Sequence, residues 1–282
     1  MLNPHKTQKI AFFILFLSTL LILIPVGLIL VIIIQKGLPA ITWQFLTDIP
    51  RQGMRHGGIF PAIVGTVYLV SGAIIFALPI GLMASIYLSE YAKENVLSRI
   101  IRLAIVNLAG VPSVVYGLFG LALFVVFFKF GASILSGSLT LGIMILPIII
   151  TTSREALESV PYSFREVSLS LGASKWQTIR HIVLPNAVSG IITGTILGLG
   201  RAAGETAPIL FTVAAFYLPQ LPDSIFDQAM ALPYHLYVIS TQVPNVDEKV
   251  RYGTALVLLT LVLFVNLAAI IIRSQFRKKK KW

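Results

Sequence analysis

Two ionisable residues stand four apart in an otherwise apolar stretch, Arg201 and Glu205 of Gly200-Arg201-Ala202-Ala203-Gly204-Glu205-Thr206-Ala207-Pro208. On a helix, residues at this spacing share a face, so the two side chains can neutralise each other. Arginine suits an oxyanion because its planar fork donates two parallel hydrogen bonds and stays charged. Glu205 could hold Arg201 while no anion is present and limit how tightly an anion is held, which permits passage rather than trapping. A static ion pair that only braces neighbouring helices is the other reading of the same residues. Pro208 has no N–H to give the Gly204 carbonyl, so a helix through this stretch is expected to kink beside the pair. The small residues around it leave room for an ion or for another helix.

The elements that must carry this pair are membrane helices. The 282 residues are 56% hydrophobic and 12% charged, and uncharged runs cover Ile10–Gln35, Ile59–Ser89, Leu103–Phe128, Phe130–Ser153 and Tyr252–Ile272. Each is long enough to cross about 30 Å of hydrocarbon as a helix of about 20 residues. A further span is expected from Ala187 to Phe216, with Arg201 and Glu205 inside it. The expectation is an all-α polytopic bundle of six transmembrane helices; strands of a membrane barrel would be about ten alternating residues long, which excludes that class. Arg201 lies 14 residues beyond Ala187, or roughly 21 Å along a helix and past the bilayer midplane. An ionised group at that depth is costly unless it is paired or faces a wet cavity, and that favours a functional role.

Basic residues set the orientation. With the N-terminus inside, the inner segments hold fifteen of them, among them Lys93, Arg99, Arg102, Arg154, Arg165, Lys175, Arg180, Arg273 and the run to Lys281, against six in the outer segments. Both termini are therefore expected to be cytoplasmic. The net charge of +11 is mostly this asymmetry, and the cluster after the last span faces anionic headgroups more naturally than nucleic acid. The first run is too long for a signal-peptide core and is read as a retained anchor. There is no cysteine, and the four histidines lack metal-ligand spacing. No G-x-x-x-x-G-K-[ST] loop occurs, so the chain has no evident site for hydrolysing ATP. Gly and Pro punctuate Ile59–Ser89, and Ala109-Gly-Val-Pro-Ser-Val-Val-Tyr116-Gly117 interrupts the third run. Such breaks favour kinks and close helix approach, and a bundle with them can line a path.

Between the fourth and fifth spans, Ser163 and Glu166 have capping-box spacing that can start a short helix through Leu171. Gly172 tolerates the left-handed backbone that ends one. Ser174 and Gln177 repeat the capping signal for a second short helix approaching Pro185. The result is a charged hairpin on the cytoplasmic face, with Val167, Leu169, Leu171, Ile179 and Ile182 available to the bundle or to a partner.

The spacing of that hairpin resembles the EAA loop of ABC importer permeases. Glu166-Val167-Ser168 is followed by Gly172 six residues after the Glu, then by Ile182-x-Leu184-Pro185 after nine intervening residues. Val167 and Ser168 stand where that family commonly has alanine. Arg201-Ala-x-Gly204-Glu205-Thr206-Ala-Pro208 resembles the signature of PstA- and PstC-type permeases of the high-affinity phosphate importer. Gly57-Gly-Ile59-x-Pro61-Ala-Ile-x-Gly65-Thr66, Pro112-Ser-Val-Val-Tyr116-Gly117 and the absence of a long outer domain resemble the PstA-type partner more closely.

The resemblance implies an ABC importer type I permease-like fold in the inner or plasma membrane of a prokaryote. It divides the chain into residues 1–58, an anchor helix and first outer loop; 59–272, a permease core with the coupling loop at 154–185; and 273–282, a basic tail. It implies a substrate-path or gating role for Arg201, Glu205 and Thr206, and coupling to an ATPase for Glu166, Gly172, Ala173, Ile182, Leu184 and Pro185. The implied partners are a homologous PstC-type permease, two cytoplasmic ATPase subunits that use ATP and Mg, and an extracytoplasmic phosphate-binding protein meeting the loops around Asp48–Arg55 and Pro219–Arg251. The chain itself is expected to bind no cofactor or metal and to catalyse nothing. Import of another oxyanion, such as molybdate or sulfate, and an ATPase-independent anion carrier are the alternatives.

Overall fold

A computed structural model of the chain describes residues 4–278; Lys279–Lys281 of the expected basic tail lie outside the described residues. Among the described residues, five helices are long and apolar enough to cross a membrane, Gln8–Ala40, Phe60–Tyr91, Ile134–Glu158, Lys175–Gly204 and Glu248–Gln275, or six where the bent pair Val96–Ala109 and Ser113–Phe127 counts as one span. The chain is a multi-pass membrane protein.

The first helix, α1 (Pro4–Gly37), packs along the last, α12 (Glu248–Lys278), where Lys36 Nζ lies 3.0 Å from Glu248 Oε2 and 5.1 Å from the centre of the Tyr252 ring. A short helix α2 (Trp43–Thr47) and a two-stranded antiparallel ribbon, β1 (Pro50–Arg51) and β2 (His56–Gly57), follow α1. The centre of the bundle is α3 (Phe60–Ile86) against α6 (Ile134–Glu158), the most extensive helix pairing, with α9 (Leu184–Gly204) packed on α6 and also touching α3, and α12 packed on α9. Lipid tails are as apolar as leucine, so such helices associate by close packing of small residues and interhelical hydrogen bonds. Ser138 of α6 accordingly donates to the Leu69 carbonyl of α3 at 3.3 Å, while Leu141, Ile145 and Ile149 fill the remaining contact.

The third span is not one straight helix over Leu103–Phe128. It consists of α4 (Val96–Ala109) and α5 (Ser113–Gly120), with π-helical turns continuing α5 to Phe127, and the two pieces meet at 103°. Pro112 disfavours the helical conformation in Val111 and has no N–H of its own. The Tyr116 hydroxyl donates to the Leu108 carbonyl at 2.7 Å, tying α5 to α4 across the bend.

The fifth span is likewise shorter than Ala187–Phe216. α9 stops at Gly204, and α10 (Ala207–Thr212) follows after a break. Between α10 and α12, α11 (Leu232–Thr241) is held to α3 by the Leu232 N–H, which donates to Thr66 Oγ1 at 2.8 Å. A second, smaller apolar cluster of Ile86, Leu157, Val160, Ile179 and Val183 lies at the opposite end of the bundle. There α6 is joined to α9 through two short helices, α7 (Tyr162–Ser170) and α8 (Lys175–Thr178).

Candidate substrate path and coupling hairpin

Arg201 sits in the last turn of α9, where a cation complements the negative end of the helix. Glu205 is the first residue past that helix, with extended backbone angles of φ −77 and ψ 135. The pair expected along one helical face therefore meets across a helix end, Arg201 Nε to Glu205 Oε1 at 3.4 Å. Pro208 explains the stop, since it cannot donate to Gly204 and its ring crowds the preceding turn; the expected kink is a full break. The side chains remain 31% and 18% exposed, and a single long contact between partly solvated groups is worth about 0–1 kcal/mol. Among the described residues, neither Nη group of Arg201 has a protein hydrogen-bond partner within the bundle. The guanidinium is thus neutralised but keeps most of its donors.

Two sequence-distant motifs meet at this break. A Cβ on Gly117 of α5 would stand 2.8 Å from Phe211 Cδ2 and 3.0 Å from the Ala207 carbonyl oxygen, so only glycine lets α5 approach α10 this closely. Tyr116 lies within electrostatic reach of Arg201. Thr206 precedes α10 without a side-chain capping bond and is half-buried, and beside Gly204 there is open space. The bent third span and the broken fifth span thus face each other around Arg201.

At the other end, α7 closes in a full Schellman motif. The Gly172 N–H donates to the Leu169 carbonyl at 2.9 Å and the Ala173 N–H to the Ser168 carbonyl at 3.2 Å, with Gly172 at φ +84. Nothing lies within 4 Å of a Cβ added there, so the requirement for glycine is conformational rather than steric. The capping box at Ser174 forms in both directions, Gln177 N–H to Ser174 Oγ at 3.3 Å and Ser174 N–H to Gln177 Oε1 at 2.7 Å. The one expected at Ser163 and Glu166 does not form: α7 starts at Tyr162 behind Pro161, whose fixed φ already sets the entry, and no side chain caps it. Nor does the second short helix end before Pro185. α8 passes through a π-helical turn, Ile179–Val183, directly into α9, and the wider turn accommodates the missing N–H of Pro185.

Glu166, Gly172 and Pro185 are exposed, whereas Ala173, Ile182 and Leu184 are half-buried at the root of the hairpin. Val167, Leu169, Leu171 and Trp176 present an apolar knob to the outside, Leu171 being 83% exposed, while Ile179 is buried in the bundle. Two contacts escaped sequence reasoning. Ser168 Oγ and Thr178 Oγ1 hydrogen-bond at 2.9 Å in a buried position, stapling α7 to α8; this explains a serine where alanine is common. Arg165 pairs with Glu90 at 2.7 Å, 75 residues away in the chain, and no local spacing could have announced it.

On the face opposite the hairpin, a cavity of ≈ 600 Å³ is lined by Thr42, Gln44, Asp48, Arg51, His56 and Lys249 among others. The Ile49 N–H holds the Asp48 carboxyl below its usual range, and the Lys249 N–H does the same for Asp247. Inside α11, burial pushes the His235 imidazole down to about 4, and its Nδ1 has no hydrogen-bond partner. Among the described residues no group of three or more His, Cys, Asp or Glu could hold a metal ion.

Comparison with known proteins agrees with this architecture. Residues 77–282 match the family described as binding-protein-dependent transport system inner membrane component. The chain is 33% identical over 270 residues to the probable ABC transporter permease protein YqgI of Bacillus subtilis, covering 91% of each chain. It is 34% identical over 271 residues to the phosphate transport system permease protein PstA 1 of Mycobacterium tuberculosis, covering 94% of this chain and 87% of that one. In fold it resembles a chain of the bacterial alginate ABC transporter crystallised with an alginate pentasaccharide-bound periplasmic protein, with a TM-score of 0.69 at 14% identity, covering 94% of this chain and 93% of that one.

Proposed function

Because the chain belongs to the family of binding-protein-dependent transport system inner membrane components, a permease subunit of an ABC-type importer, we propose that its substrate is inorganic phosphate. The reading is supported by relatives of 33–36% identity that include PstA phosphate permeases. The observation that carries it is Arg201: a guanidinium at a helix break, held by one 3.4 Å contact and with both Nη groups available to an oxyanion.

In this reading Arg201, Glu205 and Thr206 line or gate the substrate path. Glu205 holds Arg201 between transport events, and an arriving phosphate competes with that carboxylate for the fork. The pair is weak enough to exchange, so the anion is passed on rather than retained. The hairpin of Glu166, Gly172, Ala173, Ile182, Leu184 and Pro185 engages an ATPase subunit with its apolar knob. One continuous helical run, Lys175–Gly204, joins the hairpin to Arg201, about 39 Å apart at 1.5 Å per residue. Motion at one end is therefore delivered to the other by a single rigid element, and interrupted helices around the substrate are the usual site of alternating access. The partners are a homologous PstC-type permease, two cytoplasmic ATPase subunits using ATP and Mg, and an extracytoplasmic phosphate-binding protein that meets the groove beside Arg51, His56 and Lys249. Both termini are then cytoplasmic. This chain makes and breaks no bond of the phosphate.

The test is ATP-driven uptake of phosphate into vesicles holding the co-expressed permease pair, ATPase and binding protein, with native chain or Arg201→Gln and with molybdate as competitor. Uptake that requires ATP, resists molybdate and is lost in an equally assembled Arg201→Gln complex supports the proposal. Undiminished uptake in the variant removes the role of Arg201, and preferred molybdate transport changes the substrate.

A further inference from the structure

Arg165 and Glu90 form the most enclosed ion pair among the described residues, with side chains 11% and 8% exposed. The guanidinium donates from Nη2 to Glu90 Oε1 at 2.7 Å and from Nε to Oε1 and Oε2 at 3.2 and 3.3 Å. Its other donors take the Leu157 carbonyl in the last turn of α6 at 2.9 Å and the Val160 carbonyl in the link after it at 2.8 Å. Glu90 itself lies in the π-helical turn, Tyr87–Tyr91, that ends the α3 span. One side chain on the first turn of α7 thus grips both helices of the central pair, α3 and α6.

The second helix of the hairpin reaches the same turn. Lys175 of α8 places Nζ 4.9 Å from the centre of the Tyr91 ring. Beside these contacts lies a cavity of ≈ 510 Å³, lined by Ser89, Glu90, Tyr162, Arg165, Lys175 and Thr178 among others, and Phe164 of α7 packs against the small apolar cluster next to it. Only Ser159, Val160 and Pro161 connect α6 to α7 along the chain. Phe164 and the Ser168–Thr178 bond also hold α7 in place, but the Arg165 contacts tie it to the ends of both α3 and α6. A buried pair is weak evidence of net stability, because desolvation offsets the Coulomb gain. What these fixed distances supply is a defined mechanical connection.

We propose that Arg165 and Glu90 are the joint that passes displacement of the hairpin to α3 and α6, and that Arg165 is a positioning residue for coupling. The proposal rests on the coupling role given to the hairpin above. It is tested in the fully assembled transporter by three measurements on the same preparations: ATPase subunits retained by the permease, ATP hydrolysis, and phosphate taken up per ATP hydrolysed. For Glu90→Gln and Arg165→Gln, subunit retention and hydrolysis should persist while uptake per ATP falls about tenfold or more, since charged hydrogen bonds of this kind are lost. Arg165→Lys keeps the charge but cannot serve four acceptors at once, so it should give an intermediate ratio and remains informative where the Gln variants fail to assemble. Hydrolysis and uptake falling in parallel, with the ratio unchanged, would reduce the pair to a brace and overturn the proposal. Leu171→Asp, on the exposed knob and outside the joint, tests the underlying reading separately: if it neither releases the ATPase subunits nor alters hydrolysis, the hairpin is not the docking element, whatever the ratio in the Arg165 variants.

Discussion

The molecule holds two Arg–Glu pairs in opposite states of saturation. Arg165 spends its donors on a carboxylate, the Leu157 carbonyl at the end of α6 and the Val160 carbonyl of the following link, with its side chain 11% exposed. Arg201 makes one 3.4 Å contact with a residue four positions on, and its side chain is 31% exposed. The difference lies in what surrounds each guanidinium. Around Arg165, α6 terminates and offers carbonyls; around Arg201, α9 terminates beside open space at Gly204. A saturated guanidinium has nothing left for a ligand and serves to hold helices in register, whereas an unsaturated one beside a helix break can exchange its partner for an anion. On the proposed reading, binding falls to Arg201 and transmission to Arg165, in a hairpin joined to Arg201 by the helical run from Lys175 to Gly204.

The sharpest way to break this contrast is to remove the unsaturated charge. Arg201→Gln should lower phosphate uptake by two to three orders of magnitude, because charged hydrogen bonds are worth about 1.5–3 kcal/mol each, while leaving hydrolysis per assembled complex within a fewfold of native. If instead it dissociates the complex, as loss of the saturated pair could, Arg201 is a brace and the contrast fails.

Acid titration comes next in size and should leave both pairs aside. His235 is held at about 4 in the folded chain against an ordinary 6.5, so protons bind preferentially to the unfolded chain. Stability should be complete above pH 6.5, fall as pH drops from 6.5 toward 4, and level off below that, by about 3 kcal/mol in all. Thermal unfolding in detergent across that range checks it: His235→Asn should flatten the profile, and Arg201→Gln should retain it.

Gly172→Ala probes the scaffold of the saturated pair. A side chain at φ +84 costs about 1–2 kcal/mol, and the loss should appear as faster amide exchange across residues 163–178 without change near Arg201. The smallest effect belongs to Glu205→Gln. Freeing Arg201 from a pair worth about 0–1 kcal/mol should tighten phosphate retention by up to about fivefold and slow its release, measured as phosphate held by the detergent-solubilised complex. Weaker retention would mean that Glu205 supports the anion rather than competing with it.

Features within a helical turn or two were legible in the chain. The i,i+4 relation of Arg201 and Glu205, the Ser174–Gln177 box and the glycine stop at Gly172 each depend on residues no more than four apart. The failures were also physical. Pro161 already sets the entry to α7, so Ser163 was not needed as a cap; the interruption read at Ala109–Gly117 is present, as a 103° bend between two helices. In the fifth span Pro208 stopped the helix outright where a kink was expected, moving Glu205 past its end.

By itself the sequence determined that the chain crosses a membrane repeatedly and where its third and fifth spans are interrupted, since each follows from local composition, backbone chemistry and short-range spacing. Only the tertiary structure decided that Gly117 meets Ala207, that Ser168 bonds Thr178 and that Arg165 closes on Glu90. Every span is apolar, so hydropathy carries no information about which span packs against which; that choice is made by close fit of small residues and by the few polar groups that find partners across helices.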